Sequence, residues 1–215
     1  MQKHAEAEAV TPFTLHFSVD GPTGPFHPYD TNFTNVPLNS TGFSMQNWNP
    51  APHLMPDGSV RVMVHTLTAP WAGESVAHAS TWRGPYTFLT GNLDYCEKCE
   101  EDPFMWTDKR GNWHVLYHRM FDPIGVGGER DPSPIPTPGW SGGHAFSRDG
   151  LNFSTITRAY STYVALHNGT TVNMVRRERP KLVFGPGGDP EFLSNGVEVA
   201  KGRTYTLVVP LKTNA

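Results

Sequence analysis

Two acidic residues of this chain stand where acid–base chemistry could be done. Asp102 lies in Glu101-Asp102-Pro103-Phe104-Met105-Trp106, and Glu178 lies in Arg177-Glu178-Arg179-Pro180. A carboxylate pair held across a pocket is what cleavage of a glycosidic bond requires: one group protonates the departing oxygen while the other activates water or attacks. A plainer alternative exists, because Arg177 or Arg179 beside Glu178 could form a simple ion pair. Position alone leaves both readings open.

Histidine and tryptophan offer further candidates. His114 and His118 share one face of an expected strand, with Trp113, Val115 and Tyr117 on the other. They read either as a substrate- or metal-contacting pair or as packing with satisfied ring nitrogens. His144 follows two glycines, which permit close backbone approach, and is the better site candidate. Trp48, Trp71, Trp106 and Trp140 could present stacking surfaces for a sugar, and Trp140, in a Gly/Pro-rich stretch, has the best reach. Cys96 and Cys99 form the only cysteine pair. Two cysteines do not complete a zinc site, and no βαβ pattern surrounds them as a redox pair would need. A local disulfide ahead of Glu101 and Asp102 is the expectation.

The elements that must position these residues repeat. One unit opens with a polar residue and proline, continues as an apolar run, turns at a Gly-containing sequence and runs back. It occurs at Asn49-Pro50 to His65 through Asp57-Gly58, at Asp102-Pro103 to His118 through Arg110-Gly111, and at Arg179-Pro180 to Leu193 through Gly187-Gly188. Glycine supplies the positive φ such hairpins need. A second unit lies between these: His16-Phe17-Ser18 with Gly24-Pro25-Phe26, His78-Ala79-Ser80 with Gly84-Pro85-Tyr86, and His144-Ala145-Phe146-Ser147 with Asp149-Gly150. One hairpin plus one such unit makes a four-stranded antiparallel blade, and blades bury their faces by stacking radially in a β-propeller. The openings at Pro50, Pro103 and Pro180 are spaced more widely than the roughly 40–50 residues of known propeller repeats, which implies long loops, including the Pro- and Gly-rich stretch 122–140. Three to four blades are expected, at about 1–45, 46–98, 99–160 and 161–215 of one domain. The first holds only an outer half and the last ends in its third strand, so sequence upstream of Met1 is expected. The openers Asn49, Asp102 and Arg177-Glu178-Arg179 occupy equivalent places in successive blades and would converge near one axis.

Composition agrees and excludes other classes. The 215 residues are 37% hydrophobic and 12% aromatic but only 17% charged, enough for one sizeable core. Gly 21 and Pro 20 exceed what a helical protein tolerates. A net charge of −3 without a basic run argues against a nucleic-acid partner, and no apolar stretch reaches membrane-spanning length. Acceptor sequences for N-glycosylation at Asn32, Asn39, Asn152 and Asn168 point to a secreted glycoprotein, although Met1 to Glu8 lacks a signal-peptide core.

Four segments in this order, Trp82-Arg83-Gly84-Pro85-Tyr86, Glu101-Asp102-Pro103-Phe104-Met105-Trp106, Gly143-His144-Ala145-Phe146-Ser147-Arg148-Asp149-Gly150 and Arg177-Glu178-Arg179-Pro180, resemble five-bladed propeller glycoside hydrolases. The likeness is to family 43-like proteins and the invertase and arabinanase superfamily, and it runs from about Phe13 to Leu211. Asn195-Gly196-Val197 and Leu207-Val208-Val209 resemble the end of such proteins. The resemblance implies a three-carboxylate site in which Asp102 orients the acid and tunes its pKa or stabilises the transition state, and Glu178 is the general acid. The third carboxylate would lie in a first blade whose inner strands are missing here, and Asp20 and Asp30 are poor substitutes. Asn49, Trp48, Glu101, His118, His144, Trp140, Arg177 and Arg179 are expected around a carbohydrate substrate. No cofactor is expected, although a channel ion such as calcium is conceivable, and a monomer is expected. The rival reading is a non-catalytic propeller that binds glycans or a protein. A kelch-like scaffold fits less well, because its double-Gly and spaced Tyr/Trp signature does not recur.

Overall fold

The computed structural model describes residues 14–34, 49–66, 73–93, 100–119 and 140–211. Among them there is no helix. Strands β1 (Thr14–Phe17) and β2 (His27–Asp30) pair as a hairpin. The first large sheet takes β3 (Ala51–Leu54), β4 (Val60–Thr66), β5 (Gly73–Ala79) and β6 (Thr87–Leu93) in chain order. The second takes β7 (Glu100–Thr107), β8 (Trp113–Arg119), β9 (Trp140–Ser147) and β10 (Thr157–Ser161), again in chain order. A short hairpin of β11 (Tyr163–Ala165) and β12 (Thr171–Asn173) precedes a third sheet of β13 (Arg176–Phe184), β14 (Pro190–Ala200) and β15 (Arg203–Pro210). All these pairings are antiparallel.

The repeated hairpins close through one turn geometry. Met55 N bonds Ser59 O at 2.8 Å and Gly58 N bonds Met55 O at 2.9 Å; Asp108 N–Asn112 O and Gly111 N–Asp108 O, then Gly185 N–Asp189 O and Gly188 N–Gly185 O, repeat the pattern. Gly58, Gly111 and Gly188 hold φ of 85°, 81° and 77°, a region closed to most side chains. The asparagine or aspartate of the turn adds side-chain bonds, as where Asp108 accepts from the Arg110 and Asn112 amides. The β11–β12 hairpin has the same turn, with Leu166 N on Thr170 O and Gly169 N on Leu166 O. That hairpin was not anticipated: its strands are three residues long, too short for alternation to show.

The sheets stack face to face in chain order. Ala51, Met63 and Val76 of the first meet Met105, Trp113, Val115, Tyr117 and Ala145 of the second. The opposite face of the first sheet packs Val60, Val62, Val64 and Ala77 with Phe33, Tyr86 and Phe88, and Phe33 stacks on Tyr86 at 5.2 Å. The opposite face of the second sheet sets Leu116, Tyr160, Phe104 and Trp106 against Leu182, Leu193 and Leu211. The β11–β12 hairpin caps the rest of that third-sheet face through Val164, Val172 and Met174 against Val197 and Leu207. A cross-sheet bond from Arg61 to the Asp149 carbonyl at 2.6 Å, with Arg61 over the Trp113 ring at 4.5 Å, joins the first two sheets at their turns. Lys109 and Asp189, 2.6 Å apart, join the second and third in the same place.

Candidate functional site

Three non-glycine residues among those described have positive φ: Asn49 at 32°, Asp102 at 53° and Arg179 at 54°. Each precedes a proline, whose ring pushes the residue before it out of the right-handed helical region. Asn49 lies just before the first strand of one stacked sheet, and Asp102 and Arg179 lie within the first strands of the other two. Strain of this kind persists only where surroundings impose it, and it gathers at functional sites. The register slips at two of them, between Glu101 and Phe104 against β8 and between Glu178 and Lys181 against β14. Such bulges re-aim side chains at a sheet end.

Around Asp102 the consequences are electrostatic. Its side chain is 12% exposed, and its Oδ2 lies buried without a hydrogen bond, 3.6 Å from Arg179 Nε. Burial pushes its pKa up and Glu101 pushes it further, against the pull of Arg179 and His118; Glu178 also raises it. Glu101 Oε1 lies 3.0 Å from His118 Nδ1, the cross-strand partner set by the β7–β8 register. From the neighbouring sheet, Lys181 Nζ donates to the Pro103 carbonyl at 3.3 Å and lies over Phe104. Burial lowers the Lys181 pKa and Asp102 opposes that.

Glu178 is held differently. Its backbone carbonyl accepts from Asn195 Nδ2 at 3.2 Å, while its carboxylate lies 3.5 Å from Arg176 Nη1. Arg176 also reaches Glu198 at 3.5 Å. A groove of about 440 Å³ runs beside it on the outer face of the third sheet, lined by Arg176, Glu178, Arg179, Glu198, Thr204 and Thr206 among others.

Arg177 is buried and turned inward. Its Nε donates to Asn195 Oδ1 at 2.9 Å, its Nη1 to the Ser161 carbonyl at 2.9 Å, and its guanidinium lies over Tyr160 at 4.8 Å. Its own carbonyl accepts from Ser141 Oγ at 2.6 Å. Tyr160 donates to the Tyr117 carbonyl at 3.3 Å, and burial raises its pKa. A Cβ at Gly142 would sit inside the Tyr160 ring, so the close approach expected of the Gly142-Gly143 pair is made to this tyrosine.

The sequence candidates therefore separate. Asp102, Glu101, His118, Arg179 and, by its field, Glu178 come together. Asn49, half-buried, takes the equivalent left-handed place at the start of the first sheet. Arg177 faces protein groups rather than open space. His144 lies farther along its sheet: His118 pairs with Gly142, whereas His144 pairs with Leu116. Its Nε2 is 3.0 Å from His114 Nδ1, both rings pack against Trp106, and burial followed by His114 lowers its pKa to about 4. His114 Nε2 is 3.5 Å from Asp108, so of the two readings for His114 the packed one describes its surroundings. Trp106 stacks with Phe104 at 5.9 Å and with His114 at 5.0 Å. Trp140 is the first residue of β9, paired with Ser161, rather than part of a loop. Trp48, Trp71, Cys96 and Cys99 lie outside the described residues. Ser141, Tyr160, Lys181 and Asn195 were missed as site-supporting residues. Nothing in their local sequence marks them, since their partners lie on other strands.

No family model matches the chain, and no curated protein does. Among solved structures it is similar to a GH43_12 protein retrieved from capybara gut metagenome, at 13% identity and a TM-score of 0.49, over 77% of this chain and 30% of that one. It is also similar to an endo-arabinase from Bacteroides thetaiotaomicron, at 13% identity and a TM-score of 0.39, over 87% and 82% of the two chains. A third is an exo-β-1,3-galactanase from Clostridium thermocellum, at 13% identity and a TM-score of 0.31, over 77% and 46%. The chain spans less than half the length of the first and third of these.

Proposed function

We propose that the chain forms blades of a five-bladed β-propeller glycoside hydrolase of the family 43-like kind, acting on a plant, algal or microbial polysaccharide. The observation that carries this reading is Asp102: a buried carboxylate with a raised pKa, in a left-handed conformation, under the influence of Glu178 from the adjacent sheet. Two carboxylates from neighbouring sheet ends can divide acid and orienting roles, because their environments differ. Asp102 is enclosed and sets the field; Glu178 borders the groove and is the general acid. Arg179, with its side chain largely exposed, screens Asp102 and is placed to contact a sugar hydroxyl. Arg177 acts on substrate only indirectly, by fixing Asn195 and through it the Glu178 backbone. Exposed acceptor sites at Asn32, Asn152 and Asn168 support secretion.

The test is hydrolysis of aryl glycosides and of arabinan- and galactan-type oligosaccharides by the protein in its full reading frame, alongside Asp102→Asn and Glu178→Gln. Asparagine tolerates left-handed backbone, so the first change keeps the strand opening intact. Turnover that falls at least a thousandfold in both variants, with unchanged circular dichroism, supports the assignment. Absence of turnover together with saturable oligosaccharide binding favours the rival reading, a glycan-binding propeller.

A further inference from the structure

We infer that Glu101, Asp102 and His118 form a binding site for a divalent first-row transition cation, of which Zn²⁺ is the convenient probe. One ligand atom from each lies within 4.8 Å of the others, and the three side chains are buried or half-buried. The backbone builds this set. Glu101 and His118 face one another across β7 and β8, and the bulge after Glu101, with Asp102 at φ 53°, brings two consecutive carboxylates to the same imidazole. A regular strand would send Asp102 to the opposite face from Glu101.

A second observation points to a ligand. Asp102 Oδ2 is fully enclosed yet accepts no hydrogen bond, and Arg179 Nε, its ion-pair partner at 3.6 Å, stands beyond hydrogen-bond reach. An enclosed carboxylate oxygen left this way is costly, and a metal ion would satisfy it. One imidazole with two carboxylates suits zinc or manganese better than calcium, which seeks six to eight oxygens. Binding would displace the proton that His118 Nδ1 shares with Glu101 and would require Arg179 to swing out. The Arg179 side chain is 74% exposed and free to do so. Arg179 and the cation are thus alternative partners of Asp102. The inference stands apart from the hydrolase reading, since it concerns binding alone.

Isothermal titration of chelator-treated protein with ZnCl₂ tests it, with Co²⁺ absorption as a report on ligand type. One cation per chain is expected. Asp102→Asn, His118→Gln and Glu101→Gln should each weaken binding about 10–100-fold. Arg179→Ala should tighten it several-fold, a gain that no loss of folding can imitate. His144→Gln should change nothing. No binding at millimolar Zn²⁺, equal affinity in the wild type and the three ligand variants, or loss on His144→Gln would overturn the site. Hydrolytic activity enters none of these outcomes, so failure here leaves the proposed function standing, and the reverse holds too.

Discussion

The two faces of the second sheet are made of one set of strands and do different work. On one, Met105, Trp113, Val115, Tyr117 and Ala145 meet the first sheet through apolar contact. On the other, Leu116 and Phe104 share the interface with His118, Arg177, Asn195, Lys181 and Asp102, and Arg177 and Lys181 hydrogen-bond across it to the Ser161 and Pro103 carbonyls. The first interface gives stability by removing area from water. The second gives up some of that to hold charged groups in fixed relation, and such groups must be satisfied or they cost free energy. An apolar interface positions sheets; a polar one positions chemistry.

The largest break in this comparison is Tyr117→Ala, on the apolar side. Tyr117 is fully buried, and its hydroxyl meets Met63 Sδ at 3.5 Å. The loss should be about 3–5 kcal/mol of unfolding free energy in a denaturant titration. A loss below about 1 kcal/mol would show that the interface is loose.

On the polar side, Arg177→Met keeps much of the volume but leaves Asn195 Oδ1 and the Ser161 carbonyl without their donor. About 1–3 kcal/mol should be lost. Activity, where present, should fall with kcat and leave KM nearly unchanged, because Arg177 touches no open space. A rise in KM alone would make it a substrate contact instead.

The smallest effect has the opposite sign. The folded pKa of Asp102 is raised, so its ionised form is penalised in the native state. Its contribution is full below the unfolded carboxylate pKa and is lost as pH rises through the folded value. Asp102→Asn should therefore raise Tm slightly at neutral pH and leave it unchanged in acid, checked by thermal unfolding at pH 7 and pH 3. A lower Tm at pH 7 would mean that Arg179 and His118 outweigh the burial. His144 acts the other way: its lowered pKa, about 4, gives stability above the unfolded value near 6.5 that is lost as pH falls toward 4.

Much of the architecture was legible in the chain because it rests on local rules. Alternation in Val60 to Val64 and in Trp113 to His118 has the period of a strand, and glycine at 58, 111 and 188 is what the turns require. Two whole sheets and the first three strands of another follow from those signals. The pre-proline residues Asn49, Asp102 and Arg179 could be found as repeat openers, and Asp102 as the one with a carboxylate. Their left-handed conformation could not be read, since proline restricts its predecessor without choosing that region. The β11–β12 hairpin escaped for want of length.

Tertiary structure alone decided what surrounds these groups. Arg177 and Arg179 are two residues apart in one strand, and sequence offers them equally as partners for Glu178 or for substrate. Stacking on the second sheet buries the first against Tyr160 and Asn195 and leaves the second exposed beside Asp102. Likewise His118 and His144 look alike as candidates, but register gives one Glu101 and the other His114. Periodicity and turn chemistry act over a few residues, so the sequence determined strands and their order. Desolvation and pairing act between atoms brought together from different strands, so only the packed sheets decided which carboxylate is strained, enclosed and perturbed.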